Sequence, residues 1–184
     1  MPSTLHLSLA EYDAMVLRGA FDTLDRKVEL IRGELIEMNP AGPLHDDLIT
    51  YLTSWSARSH DSAQTLITSQ TGLSLPEQVS RPEPDLMWLR KARYRESHPT
   101  AADVQLAMEV SYTSLAYDLD DKRKLYAEAG ITEYWIIDAQ AACIHVHQSP
   151  VGGDYQTRRV FKPGETLAPS ICPQAILDLS DLFD

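Results

Sequence analysis

Val104-Gln105-Leu106-Ala107-Met108-Glu109-Val110-Ser111 alternates along its whole length, with Val104, Leu106, Met108 and Val110 on one side and Gln105, Ala107, Glu109 and Ser111 on the other. A period of two is the mark of a strand. Behind it lies a helical stretch over about residues 117–129, closed by Gly130, a residue suited to the left-handed position after a helix. Glu133-Tyr134-Trp135-Ile136-Ile137-Asp138 then reads as a strand buried on both faces, because its apolar centre is unbroken. Toward the N-terminus, residues 84–89 form a further strand, entered through Arg81-Pro82-Glu83-Pro84, where each proline fixes φ. Residues 90–100 are a polar, basic loop, and residues 65–75 read as a strand with Gly72 as a bulge. A helix over 44–59 sets Leu44, Leu48, Tyr51, Leu52 and Trp55 on one face, after a break at Asn39-Pro40-Ala41-Gly42-Pro43. Ahead of it, residues 27–38 predict a β-hairpin around Arg32-Gly33. Ser8-Leu9-Ala10-Glu11 is a capping box that opens a short helix to about Leu17. Toward the C-terminus, residues 142–148 and 155–161 make a closing hairpin around Val151-Gly152-Gly153-Asp154, and residues 177–183 a short capping segment. This order of elements gives an α/β or α+β class with a mixed sheet.

At 184 residues, with 43% hydrophobic and 23% charged residues, the chain is about one domain long. It is expected to form one unit over 1–184: an N-terminal helix and hairpin (1–38), a central core (39–140), and a closing hairpin and tail (141–184). A chain of this size buries roughly 70% of its unfolded surface and needs no disulfide or structural metal to fold. Its two cysteines, Cys143 and Cys172, match no disulfide framework or zinc spacing. Sixteen Lys and Arg against twenty-seven Asp and Glu give a formal net charge of −11, which opposes passive coating of a polyanion. No apolar run is long enough to span a membrane, and the first residues lack a signal-peptide pattern, so a cytoplasmic, soluble protein is expected.

Three ionisable residues interrupt otherwise apolar positions: Asp85, Glu109 and Lys122. On the helix, Lys122 shares its stripe with Asp118, Leu125, Tyr126 and Ala129, and an ammonium there must reach water or meet an anion. If Asp85 and Glu109 occupy neighbouring strands with carboxylates about 5 Å apart, they repel by roughly 3 kcal/mol at an effective dielectric near 20. A divalent cation relieves that repulsion, and hard oxygen ligands select Mg²⁺ or Mn²⁺ over zinc. Such a centre, with a lysine beside it, suits phosphodiester hydrolysis. The bland alternatives are a turn-capping Asp85, a solvated Glu109, and a Lys122 paired with Asp118, Asp121 or Glu128.

Pro84-Asp85, Glu109-Val110-Ser111 and Lys122 together resemble the PD-(D/E)xK nuclease superfamily. Ser111 departs from its acid-x-Lys triplet. The chain resembles one branch closely, the restriction endonucleases of the Uma-two type. The matching stretches are Glu29-Leu30-Ile31-Arg32-Gly33-Glu34-Leu35, Pro40-Ala41-Gly42-Pro43-Leu44-His45, Pro84-Asp85-Leu86, Glu109-Val110-Ser111, the run from Tyr117-Asp118 through Lys122 to Tyr126, and Ala129-Gly130-Ile131-Thr132-Glu133-Tyr134-Trp135. Together they span roughly residues 8–150. In that branch the lysine comes from the following helix, which places its role on Lys122. The resemblance implies a restriction-endonuclease-like core, a mixed central sheet flanked by helices with an added N-terminal hairpin. It also implies Asp85 and Glu109 as ligands of Mg²⁺ or Mn²⁺, His45 and Glu34 as accessory candidates, DNA as substrate, and a homodimer.

For an acidic protein, contact with DNA has to come from local basic patches. Arg90, Lys91, Arg93 and Arg95 immediately follow the strand bearing Asp85 and are the candidate phosphate contacts, with a solvated loop as the alternative. Four such contacts give a salt slope of about −4. His145 and His147 share one strand face, where a satisfied or exposed pair competes with a metal pair that has no evident third ligand. Asp138 is expected to cap the turn after its strand, Cys143 to be inert packing, and Trp55, Trp88 and Trp135 to be core. Two functions follow: a metal-dependent DNA endonuclease, or a catalytically silent scaffold that keeps the nuclease fold, with hydrolysis of RNA or a nucleotide as a weaker third. No helix-turn-helix or zinc module is present for base readout.

Overall fold

The computed structural model describes residues 4–38 and 42–184. In helix α1 (Leu9–Leu17), the Ser8 hydroxyl accepts from the Glu11 N–H while the Glu11 carboxylate accepts from the Ser8 N–H, completing the capping box. Strands β1 (Val28–Ile31) and β2 (Glu34–Glu37) form an antiparallel hairpin. Both Arg32 and Gly33 in its turn have positive φ, 52° and 80°, which matches the right-handed twist of the two strands. The predicted break partly lies outside the described residues, at 39–41. Helix α2 (Pro43–Ser59) follows and buries Leu48, Leu52 and Trp55, with Tyr51 packed beside them. Leu44, expected on that face, is exposed in the first turn.

Six strands make the central sheet, in the order β3 (Thr65–Ser69), β4 (Leu86–Arg90), β5 (Val104–Ser111), β6 (Glu133–Asp138), β7 (Cys143–Val151) and β8 (Asp154–Phe161). Only β5 and β6 are parallel, so the sheet is mixed. The segment joining them passes over one face through α3 (Leu115–Tyr117), a π turn (Asp118–Lys122) and α4 (Arg123–Glu128). The regular helix expected over 117–129 therefore starts earlier and carries a widened turn. Its end is as expected, with Gly130 at φ 81°.

Strand β3 stops at Ser69, short of the expected Leu75. Gln70 turns into the left-handed region (φ 47°), and Gly72 is a close-approach site, where a Cβ would stand 3.0 Å from the His98 ring. The alternation persists beyond the strand because Leu73 and Leu75 still point inward, held by N–H bonds to the carbonyls of Pro82 and Ser80.

Each sheet face carries its own core. On one face α2 packs Leu52 and Trp55 against Trp88, Met108 and Trp135, and the C-terminal segment closes over them. That segment comprises β9 (Thr166–Leu167) paired with β10 (Leu177–Asp178), then α5 (Leu179–Leu182). Trp88 donates its indole N–H to the Ser56 hydroxyl, so its one polar atom is satisfied in the interior. On the other face α4 presses Leu125 and Tyr126 onto Ala107, Tyr134 and Ile136. The hairpin of β1 and β2 joins the same core through Ile31, and its Leu30 is bridged to Arg81. Among the described residues, no helix is long and apolar enough to cross a membrane.

Candidate active site

Antiparallel pairing sets Leu86 across from Met108, so the next position outward faces Asp85 toward Glu109. Paired positions in an antiparallel ladder project to the same face. The adjacency assumed from sequence is therefore built into the register. Both residues line a pocket of about 550 Å³, together with Glu29, His45, Glu83, Asp118 and Lys122.

Asp85 is fixed through Oδ2, which accepts from the Val110 N–H at 2.8 Å and lies 3.4 Å from His45 Nε2. Burial works to raise its carboxyl, but the bonds from His45 and Val110 and the charge of Lys122 outweigh it and hold the group below its ordinary value. His45 sits in the first turn of α2, where the helix start brings it over the β4 entrance. Its hydrogen bond to Asp85 raises its imidazole against the opposing effect of burial.

Glu109 is 4% exposed. Its Oε1 accepts from Lys122 Nζ and from the Tyr126 hydroxyl, each at 2.8 Å. Burial pushes its carboxyl up to about 8, against the pull of Lys122. Lys122, 1% exposed, also stands 3.4 Å from Glu29 Oε2. Burial alone would lower its ammonium, yet the carboxylates of Glu109, Glu29 and Asp118 hold it well above its ordinary value. Of the partners considered from sequence, Asp118 is among the leading contributors to this field. The π turn places Asp118 and Lys122 on the inward side, and Asp118 Oδ2 accepts from the hydroxyls of Ser111 and Ser114 at 2.6 Å each. Ser111 thus braces the turn that delivers Lys122.

Glu29 was overlooked by sequence reasoning. It is 1% exposed, neither carboxylate oxygen has a hydrogen-bond partner among the described residues, and only ion pairs to Lys122 and Lys27 face it. The available signal was an acid set between Val28 and Leu30 in the same hairpin. Glu34, the acid chosen instead, is exposed on β2, 3.9 Å from His6 and outside the pocket.

The basic loop lies away from this pocket. Arg90 ends β4 and Asp85 immediately precedes it, so about 16 Å of extended chain separates them. Arg90, Lys91, Arg93 and Arg95 therefore lie at the far end of the sheet, with none in the pocket lining. The cations at the pocket are Arg26, Lys27 and Lys122. Arg26 is paired to Glu37 at 2.6 Å, and Lys27 lies 3.2 Å from Glu83 and 3.6 Å from Glu29.

Comparison with known proteins follows the same lines. The Uma2 family, described as "Putative restriction endonuclease", matches residues 9–180. A crystal structure from Anabaena variabilis ATCC 29413, of "a putative nuclease belonging to DUF820", superposes with a TM-score of 0.72 at 16% identity, covering 96% of this chain and 97% of that one. At that identity the likeness speaks for the fold. No curated protein matches the chain.

Proposed function

This chain belongs to the Uma2 family of restriction-endonuclease-like proteins, and on that premise we propose that it is a Mg²⁺- or Mn²⁺-dependent endonuclease acting on DNA. The observation that carries the reading is the convergence of three carboxylates, Asp85, Glu109 and Glu29, around one buried lysine in an open pocket. The donor set fits a hard divalent cation: all three are oxygen ligands, and the Glu29 oxygens lack hydrogen-bond donors. Asp85 and Glu109 are the proposed ligands, with Glu29 adjoining. When bound, the cation polarises a phosphate oxygen and lowers the pKa of a water molecule.

The chain's own residues supply the rest. The Val110 N–H fixes the Asp85 carboxylate, leaving Oδ1 to face a ligand. Lys122 retains its proton and contributes a fixed positive charge beside the scissile phosphate. Tyr126 holds Glu109 in one orientation. His45, its imidazole raised by the hydrogen bond to Asp85, lines the pocket as a positioning residue. Arg26 and Lys27 border the pocket and are the cations best placed to meet the phosphate backbone. Cutting both strands of a duplex takes two such centres, so a homodimer is the expected working form.

Nicking of supercoiled plasmid in Mn²⁺ tests the reading. Wild type should convert the plasmid, while Asp85→Ala, Glu109→Ala and Lys122→Ala should not. Activity surviving all three substitutions would refute the assignment of this pocket. Absence of both cleavage and Mn²⁺ binding in wild type would favour the silent scaffold, which the −11 charge supports.

A further inference from the structure

We propose that Asp138, Cys143 and His145 form a second site, for a divalent metal ion of the zinc class, separate from the pocket of Asp85 and Glu109. Strand β6 ends in Asp138, and the chain reverses through residues 139–142, with Ala142 in the left-handed region (φ 49°), before β7 opens at Cys143. The register pairs Asp138 with Cys143 and Ile136 with His145. Alternation along β7 then brings all three side chains to one face.

Their ligand atoms converge. Cys143 Sγ lies 3.7 Å from His145 Nε2, that nitrogen lies 3.9 Å from Asp138 Oδ2, and the three atoms fall within 4.8 Å of one another. Tetrahedral zinc, with bonds of about 2.3 Å to sulfur and about 2.0–2.1 Å to nitrogen and oxygen, separates its ligands by about 3.4–3.6 Å. The cluster needs only small side-chain movements to close on an ion.

Two further features argue for coordination. Asp138 Oδ1 accepts from the N–H groups of Gln140 and Ala141, so the turn fixes the carboxylate and leaves Oδ2 toward His145. Anchoring of a ligand by its outer partners is what metal sites require. Moreover, the thiol and the carboxylate approach the same imidazole nitrogen. In a nucleophile–base–acid triad they would occupy opposite nitrogens; convergence on one nitrogen is the arrangement of ligands around a shared ion. A thiolate ligand disfavours Mg²⁺ and Mn²⁺ and selects zinc or a neighbouring transition metal. Cys143 and Asp138 are buried and His145 is partly exposed, which gives a three-ligand site with its fourth position toward water.

The cluster is distinct from the nuclease pocket. Glu109 pairs with Ile136, and Ile136 with His145, so two strand spacings, about 10 Å, separate the two backbones. None of the three residues lines the pocket. In sequence the pattern is Asp-x4-Cys-x-His, whose third ligand lies across the turn.

Cobalt(II) is the probe, added to the full chain. A thiolate-to-cobalt charge-transfer band should saturate near one equivalent in wild type, in Asp85→Asn and in Cys172→Ser, and Zn²⁺ should abolish it by displacement. Cys143→Ser should lose the band. His145→Ala, at the exposed corner, should weaken Co²⁺ binding by at least about a hundredfold while keeping the wild-type melting curve in chelator. A wild type without a thiolate band, a band retained in Cys143→Ser, or unchanged affinity in His145→Ala would each overturn the site.

Discussion

Replacing Lys122 with methionine keeps most of the apolar stem and removes the charge that faces both Glu109 and Glu29, leaving Lys27, 3.6 Å from Glu29, as the cation beside that carboxylate. At an effective dielectric near 20, the attractions at 2.8 Å and 3.4 Å are worth about 6 and about 5 kcal/mol. Those figures are for fully ionised carboxylates and are an upper bound; the full sum is not lost, because burial already favours the protonated form of Glu109, which takes a proton when the partner is gone. Breaking a buried ion pair by removing one member costs about 3–5 kcal/mol, and that is the expected destabilisation. For a chain of 184 residues, an unfolding entropy near 2.1 cal/mol/K per residue makes it a fall in Tm of about 8–13 °C. Urea unfolding and calorimetry in chelator measure both. A triple variant, Lys122→Met with Glu29→Gln and Glu109→Gln, carries no stranded charge and should recover to within about 2 kcal/mol of wild type. A loss below about 1 kcal/mol in the single variant, or a triple variant no more stable than the single, would refute the electrostatic reasoning.

Binding of a cation at Glu109 displaces the proton that burial favours, so Mn²⁺ affinity should rise about tenfold per pH unit toward about 8 and level off above it; calorimetric titrations at pH 6, 7 and 8.5 check the slope. His147, buried between Tyr134 and Tyr155 with Nδ1 lacking a hydrogen-bond partner, is lowered to about 4, first by burial and then by Arg123 and the neighbouring histidine. The unfolded chain therefore binds this proton first, and the stability of the neutral ring is intact above about 6.5 and lost as pH falls to about 4, in total about 3 kcal/mol. Unfolding of wild type and His147→Gln in chelator should show this extra acid sensitivity only in wild type, and parallel acid curves would contradict it. For DNA binding, Arg26→Gln with Lys27→Gln should flatten the log–log salt dependence by nearly 2, by the rule of about 0.9 per phosphate, whereas neutralising Arg90, Lys91, Arg93 and Arg95 should change it by less than about 1. The reverse ranking would put the nucleic acid at the far end of the sheet.

Local signals were legible where one rule governed the residues. The capping box at Ser8 and Glu11, the turn at Arg32-Gly33 and the clean alternation of β5 all depend on neighbours in the chain. Asp85, Glu109 and Lys122 stood out for a related reason: each is a charge at a position whose period points inward. What escaped depends on which segment covers which. Glu29 is buried on β1, which the segment around Arg81 joins through a bridge to Leu30, whereas β2 faces solvent, and neither fact is encoded in the hairpin itself. The π turn depends on Ser111 and Ser114 capturing Asp118 from outside the helix. The basic loop was misplaced because sequence adjacency to β4 says nothing about strand direction, and five extended residues carry it away from the pocket. His145 was weighed only with His147, and Cys143 and Asp138 each alone, since a turn had to close before the three could meet.

The account turns on whether Asp85 and Glu109 hold a divalent cation. Calorimetric titration of Mn²⁺ into the chain at pH 8, with zinc occupying any thiolate site, addresses that claim most directly. The prediction is saturable binding in wild type, abolished in Asp85→Asn and in Glu109→Gln and retained in His145→Ala. Wild-type protein that takes up no Mn²⁺, or an Asp85→Asn variant that binds it as wild type does, would contradict the claim.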